Sequence, residues 1–206
     1  MALRPPAVVE RPDGLVYRDG FVTEDEEQAC VAVLEALAFD EVRMRGQAAK
    51  RTVAHLGYRY GYESWAITPA EPSPTELDWL RERAGALAEV DPDLFVETLV
   101  TRYPPGAGIG WHRDAPAFGS KVVGVSFLSG CTMRFQRRTE TVRHTFALEL
   151  APRSAYVLAG AARWTWQHSI AATPALRYSV TFRTLAEPRR SGGGPPRRPP
   201  PPAGLA

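Results

Sequence analysis

His112 and Asp114 are separated by one residue. In extended backbone, residues i and i+2 project from one face about 7 Å apart, so both side chains can reach a single ion. The four histidines are His55, His112, His144 and His168, and His168 lies in a strand-like stretch, Trp164 to Ile170, 54 residues beyond Asp114. Two imidazoles and one carboxylate cover one face of an octahedron and leave three positions open. That is the donor set of non-haem Fe(II) oxygenases, and the open positions can hold a bidentate 2-oxo acid and O2. Zinc can use the same donors, and an isolated H-x-D also occurs in ordinary surface turns.

A second pattern lies nine residues past His168. In Arg177-Tyr-Ser-Val-Thr-Phe-Arg183 the strand period of two puts Arg177, Ser179, Thr181 and Arg183 on one face and Tyr178, Val180 and Phe182 on the other. The apolar face suits packing under helices. If the polar face lines an interior instead of meeting water, its two arginines need anionic partners. A dicarboxylate matches their fork geometry.

The elements that position these residues are legible in part. Thr23 and Glu26 form a capping box opening a helix that runs to Ala38. Ser73, Pro74 and Glu76 signal a second helix, with Leu77, Leu80, Ala84 and Leu87 on one stripe and an end near Asp91-Pro92. From Leu94 onward the pattern changes to short strands, expected at 94–103, 121–129, 131–137, 141–150, 154–159, 164–170 and 176–185. Residues 40–70 read as a hairpin-like surface insertion. The expectation is an α+β fold, a jelly roll flanked by two N-terminal helices, forming one domain over 1–187. Pro188–Ala206 is Pro- and Arg-rich and reads as a disordered tail.

The 206 residues carry a formal net charge of +2; the tail has four arginines and no acid, so residues 1–187 carry −2. Global charge is therefore no sign of a nucleic-acid surface on the domain. Met1–Gly14 has no long apolar run, no stretch approaches a membrane span, and Cys30 and Cys131 lack disulfide or zinc spacing. A cytoplasmic monomer with both cysteines in its core is expected.

The motifs Tyr103-Pro-Pro-Gly, Gly110-Trp-His-Arg-Asp114, Trp166-Gln-His168 and Arg177-x-Ser-x-Thr-x-Arg183 resemble the AlkB family of Fe(II)/2-oxoglutarate dioxygenases in order and spacing, from about residue 50 to 185. The resemblance implies a double-stranded β-helix with iron on His112, Asp114 and His168. It places Arg177, helped by Tyr103 and Ser179, on the distal carboxylate of 2-oxoglutarate, and Arg183 near the carboxylate beside the keto group. Thr101 stands where many members carry Asn, and Pro116 where some carry an acid that contacts the base.

His55-Leu-Gly-Tyr58 resembles the family's substrate lid, here about 42–65, with Tyr58 as the ring that stacks on the damaged base. Tyr60, Tyr62, Arg51, Arg59, Trp111 and Arg113 join it as expected substrate contacts, through stacking and phosphate binding. The implied activity is oxidative demethylation of 1-methyladenine or 3-methylcytosine in DNA or RNA, releasing formaldehyde, succinate and CO2. The same chemistry on a tRNA modification or a protein side chain, and a non-catalytic jelly-roll binding module, are the alternatives.

Overall fold

The Thr23–Glu26 capping box forms as expected: the Thr23 hydroxyl accepts from the Glu26 amide and the Glu26 carboxylate accepts from the Thr23 amide. The computed structural model describes residues 7–44, 47–61 and 66–186, so the tail and Tyr62 lie outside the described residues. In chain order the elements are β1 (Ala7–Val9), β2 (Leu15–Arg18), α1 (Glu24–Glu35), β3 (Asp40–Met44), β4 (Gln47–Leu56), β5 (Tyr58–Tyr60) and β6 (Ile67–Pro69). They continue with α2 (Asp78–Ala88), β7 (Phe95–Tyr103), β8 (Ile109–His112), β9 (Phe118–Phe127), β10 (Cys131–Arg138) and β11 (Arg143–Leu150). The last four are β12 (Ala155–Leu158), α3 (Gly160–Trp164), β13 (Gln167–Ile170) and β14 (Arg177–Leu185).

A seven-stranded sheet runs β2-β12-β9-β14-β7-β4-β3, a five-stranded sheet runs β1-β11-β10-β13-β8, and β5 and β6 pair alone. Helices α1 and α2 cover the outer face of the larger sheet. Cys30 and Leu34 from α1, and Leu80 and Ala84 from α2, are buried with Val100, Tyr178, Val180 and Phe182. A second apolar cluster joins the sheets face to face, with Tyr103, Val122 and Tyr156 from one and Met133, Phe135 and Ile170 from the other. Burying each such side chain contributes roughly 1.5–3 kcal/mol. This is the α+β jelly roll that the strand pattern predicts. Cys30 and Cys131 are free and buried. No helix among the described residues is long and apolar enough to cross a membrane.

Three local expectations need correction. Ser73 does not cap α2: Pro74 stays extended at ψ 136°, a 3-10 turn Thr75–Leu77 follows, and α2 starts from Leu77 without a side-chain cap. Residues 164–170 are not one strand, because α3 takes Gly160–Trp164 and β13 begins only at Gln167. Residues 40–70 are not wholly a surface insertion: β4 pairs antiparallel with β7 inside the large sheet. Ala54 and Leu56 join the core under the helices while Val53 and His55 face the opposite way. A strand with neighbours on both faces loses the apolar-polar alternation that marks a half-exposed one.

Candidate active site

The inner face of the large sheet is built in rungs of directly paired residues. Val53, Thr101, Ser179 and Ser126 form one rung, and His55, Leu99, Thr181, Gly124 and Tyr156 the next. Glu97, Arg183, Val122 and Leu158 form a third. Arg177 pairs with Tyr103 at the end of the ladder. The polar face of β14 therefore points inward, and Arg177, Ser179 and Thr181 are all buried. Gly124 makes this arrangement possible, since a Cβ there would stand 2.3 Å from the Tyr156 ring.

The smaller sheet brings the histidines in from the other side. His112 on β8 pairs directly with His168 on β13, and their ring centroids are 4.2 Å apart. Asp114 follows two residues past His112, just beyond the strand, with its Oδ2 3.7 Å from His168 Nε2. His112 Nδ1 lies 2.9 Å from the Gly110 carbonyl, which fixes the ring and leaves Nε2 as the donor to an ion. His168 Nδ1 is buried without a hydrogen-bond partner among the described residues. Burial foremost, and then His112, push His168 down to about 3; burial also lowers His112. Both imidazoles are thus held neutral, the form a metal needs. Burial opposes ionisation of Asp114, but the charge of Arg183 foremost outweighs it and holds the carboxyl well below its ordinary value.

The three side chains converge without being closed on a point. Among the described residues no group of three or more His, Cys, Asp or Glu already sits at ion-gripping distances. Arg183 Nε and Nη2 donate to Asp114 Oδ1 at 3.0 and 2.5 Å and tie the carboxylate to the large sheet. The donor chemistry fits Fe(II): two neutral imidazoles from paired strands and one ionised carboxylate.

Two chambers meet at His112, Asp114 and Arg183. The inner one, about 60 Å³, is lined by Tyr103, Tyr156, His168, Arg177 and Ser179. There Arg177 Nη2 donates to Ser126 Oγ at 2.8 Å, and its guanidinium carbon lies 5.2 Å from the Tyr103 ring centroid. Its Nε and Nη1 are buried with no partner among the described residues. A buried guanidinium with two unanswered donors calls for a carboxylate. The outer chamber, about 240 Å³, is lined by His55, Tyr60, Glu97, Phe118 and Arg51 among others.

The expected substrate residues are placed unevenly. Arg51 is buried and lines the outer chamber. Tyr60 is buried, its ring 5.9 Å from that of Phe118, and it lines the chamber. Tyr58 and Trp111 are exposed and do not line it. Arg59 ion-pairs with Asp40 at 2.5 Å, and exposed Arg113 reaches the Trp164 carbonyl at 3.5 Å. His144 lines neither chamber.

Sequence reasoning missed Ser126, Tyr156, Glu97 and Arg163. Glu97 was accessible to it, because period two places Glu97 on the face of Thr101 and Tyr103. Arg163 is buried, and its guanidinium donates to the carbonyls of Asp114, Ala115, Phe118 and Gly119 at 2.8–3.1 Å. It braces the loop that carries the aspartate, and no sequence pattern announces it.

A family model described as the 2OG-Fe(II) oxygenase superfamily matches residues 20–183. The chain belongs to that superfamily. The oxygenase is accordingly a 2-oxoglutarate-dependent dioxygenase that works with Fe(II), 2-oxoglutarate and O2. It is 28% identical to the "Alkylated DNA repair protein ALKBH8 homolog" of Arabidopsis thaliana, over 76% of this chain and 50% of that protein. The chain therefore spans about half the length of that curated relative. Among solved structures, "The structure of OsALKBH1" matches with a TM-score of 0.60 and 16% identity, covering 89% of the oxygenase and 99% of that chain. A prolyl hydroxylase from Trichoplax adhaerens, in complex with a hypoxia inducible factor peptide, matches with a TM-score of 0.57 and 12% identity, over 84% of each chain. Both share the jelly-roll fold of this chain.

Proposed function

We propose that the oxygenase demethylates N-methylated nucleobases, 1-methyladenine and 3-methylcytosine, in single-stranded DNA or RNA. His112, Asp114 and His168 hold the iron. Arg177 takes the distal carboxylate of 2-oxoglutarate through its two unpartnered donors, with Tyr103, Ser179 and Thr101 around it. Arg183 lies between the chambers and keeps Asp114 ionised and aimed; its guanidinium is already shared by Asp114 and Glu97, so any contact with the co-substrate is at its edge. Bound together, Fe(II), 2-oxoglutarate and O2 supply the oxidising power. One oxygen atom ends in succinate as CO2 leaves, the other in the methyl group, and the hydroxymethyl product breaks to formaldehyde and the free N–H.

The observation that carries the nucleobase reading is the outer chamber. Its volume of about 240 Å³ suits a single ring system. A base must leave its stack to enter. Inside, it meets the rings of Tyr60, Phe118 and His112. Outside, Trp111 and Tyr58 offer exposed rings for neighbouring bases, each contributing about 1–3 kcal/mol when stacked. The repair of alkylated DNA in the printed name of the Arabidopsis relative points the same way.

The test is turnover of single-stranded oligonucleotides carrying one 1-methyladenine or 3-methylcytosine. Formaldehyde is expected in amounts equal to succinate, and none from His112→Ala. Succinate without formaldehyde across the whole panel would overturn the reading and turn attention to tRNA modifications and protein side chains.

A further inference from the structure

The wall of the outer chamber holds a polar chain that the chemistry above does not use. Arg183 Nη1 donates to Glu97 Oε2 at 2.8 Å, and Glu97 Oε1 lies 2.9 Å from His55 Nδ1. The Glu97 side chain is 1% exposed and that of His55 17%. His55 lines the chamber, and its Nε2 makes no hydrogen bond to the described residues. A carboxylate between a guanidinium and an imidazole can only accept, so Nδ1 carries the proton. In that tautomer the ring turns the Nε2 lone pair toward whatever fills the chamber.

We propose that His55, its tautomer set by Glu97, is a specificity-determining residue that accepts a hydrogen bond from an N–H of the bound base. The proposal rests on the nucleobase reading and sharpens it: the favoured substrates are methylated bases with an exocyclic amino group. The same lone pair faces the carbonyl oxygen of 3-methylthymine as acceptor against acceptor. Pro116 offers no polar side-chain group at its position, and the amine would be read from the β4 side of the chamber instead.

The chain of partners supplies an unusual test. In Glu97→Gln the amide carbonyl must turn to Arg183, because a guanidinium only donates. The amide NH2 then faces His55 Nδ1, which has to accept, and the proton moves to Nε2. The reader is reversed from acceptor to donor.

The measurement is kcat/KM for 3-methylcytosine and 3-methylthymine placed in the same single-stranded oligonucleotide. Wild type is expected to favour 3-methylcytosine. His55→Phe is expected to lower that ratio about tenfold, as for loss of one hydrogen bond. Glu97→Gln is expected to shift it further toward 3-methylthymine. 2-Oxoglutarate affinity and thermal midpoint are recorded for each variant, and if His55→Phe does not fold, Glu97→Gln alone decides. Equal losses on both bases, with the ratio unchanged, would mean a structural role only and overturn the inference while leaving the demethylase reading intact. A wild type that turns over both bases equally would do the same. A wild type that turns over no methylated oligonucleotide would overturn the demethylase reading, and the inference with it.

Discussion

Asp114 is aimed from two directions. Arg183 takes its side chain from the large sheet, while Arg163 holds the backbone behind it through four carbonyls. A buried arginine whose hydrogen bonds all go to carbonyls is costly to disturb, because each oxygen it leaves stays desolvated. Arg163→Gln is expected to destabilise the fold by roughly 3 kcal/mol and to weaken Co(II) or Fe(II) binding, with Arg163→Lys intermediate. Denaturant titration and metal titration of the variants check both. Unchanged metal affinity in a destabilised Arg163→Gln would show that the loop is braced for the fold alone. At this scale the sequence was a good guide wherever strand alternation applied. Arg177, Ser179 and Arg183 face inward as period two requires, and Glu97 followed from the same rule had it been applied to β7. Arg51 and Arg163 show the limit, because an arginine reads as a surface residue until the packing around it is known.

Helix α1 owes its start to the capping box and its place on the sheet to Cys30 and Leu34. Glu26 has a second role, since its carboxylate also receives both guanidinium nitrogens of Arg83 on α2, at 2.6 and 2.8 Å. The hydrogen bond from Arg83 foremost lowers Glu26 from its ordinary 4.5 to about 2. The folded value lies below the unfolded one, so the pair's contribution is present above pH 4.5 and is lost as pH falls toward 2. Both side chains are partly exposed, at 29% and 39%, so about 0.5–1 kcal/mol is expected. Arg83→Gln should therefore be less stable than wild type at pH 7 by that amount, with the gap closing as pH falls through 2; a gap that persists in acid would assign the effect to the hydrogen bond from Arg83 to the Phe21 carbonyl and its packing on the Trp79 ring at 4.8 Å instead.

The elements differ in how plainly the sequence declares them. α1 and the long strands β7, β9, β10, β11 and β14 emerge near their expected limits. β1, β2 and β8 span three or four residues each, too few for a period to show. β4 was misplaced because both of its faces are occupied.

At the scale of the whole molecule, the fold is a device for opposing two sheets around a small polar space. The five-stranded sheet contributes the two histidines as a cross-strand pair. The seven-stranded sheet contributes the arginine ladder, and the loop between β8 and β9 contributes the aspartate. Apolar packing of Tyr103, Met133, Phe135 and Ile170 sets the distance between the sheets. The sequence motifs were enough to nominate this centre, but they could not show that the space divides into two chambers, because that depends on how far apart the sheets stand.

The assignment of the inner chamber rests on Arg177, whose buried Nε and Nη1 have no hydrogen-bond partner among the described residues. The most direct test is 2-oxoglutarate binding to the metal-loaded protein, measured by calorimetry for wild type and Arg177→Met. Charge-assisted hydrogen bonds contribute about 1.5–3 kcal/mol, so the variant should bind 2-oxoglutarate roughly ten- to a hundredfold more weakly while its metal affinity is kept. Equal 2-oxoglutarate affinity in the two proteins would contradict the assignment of the chamber.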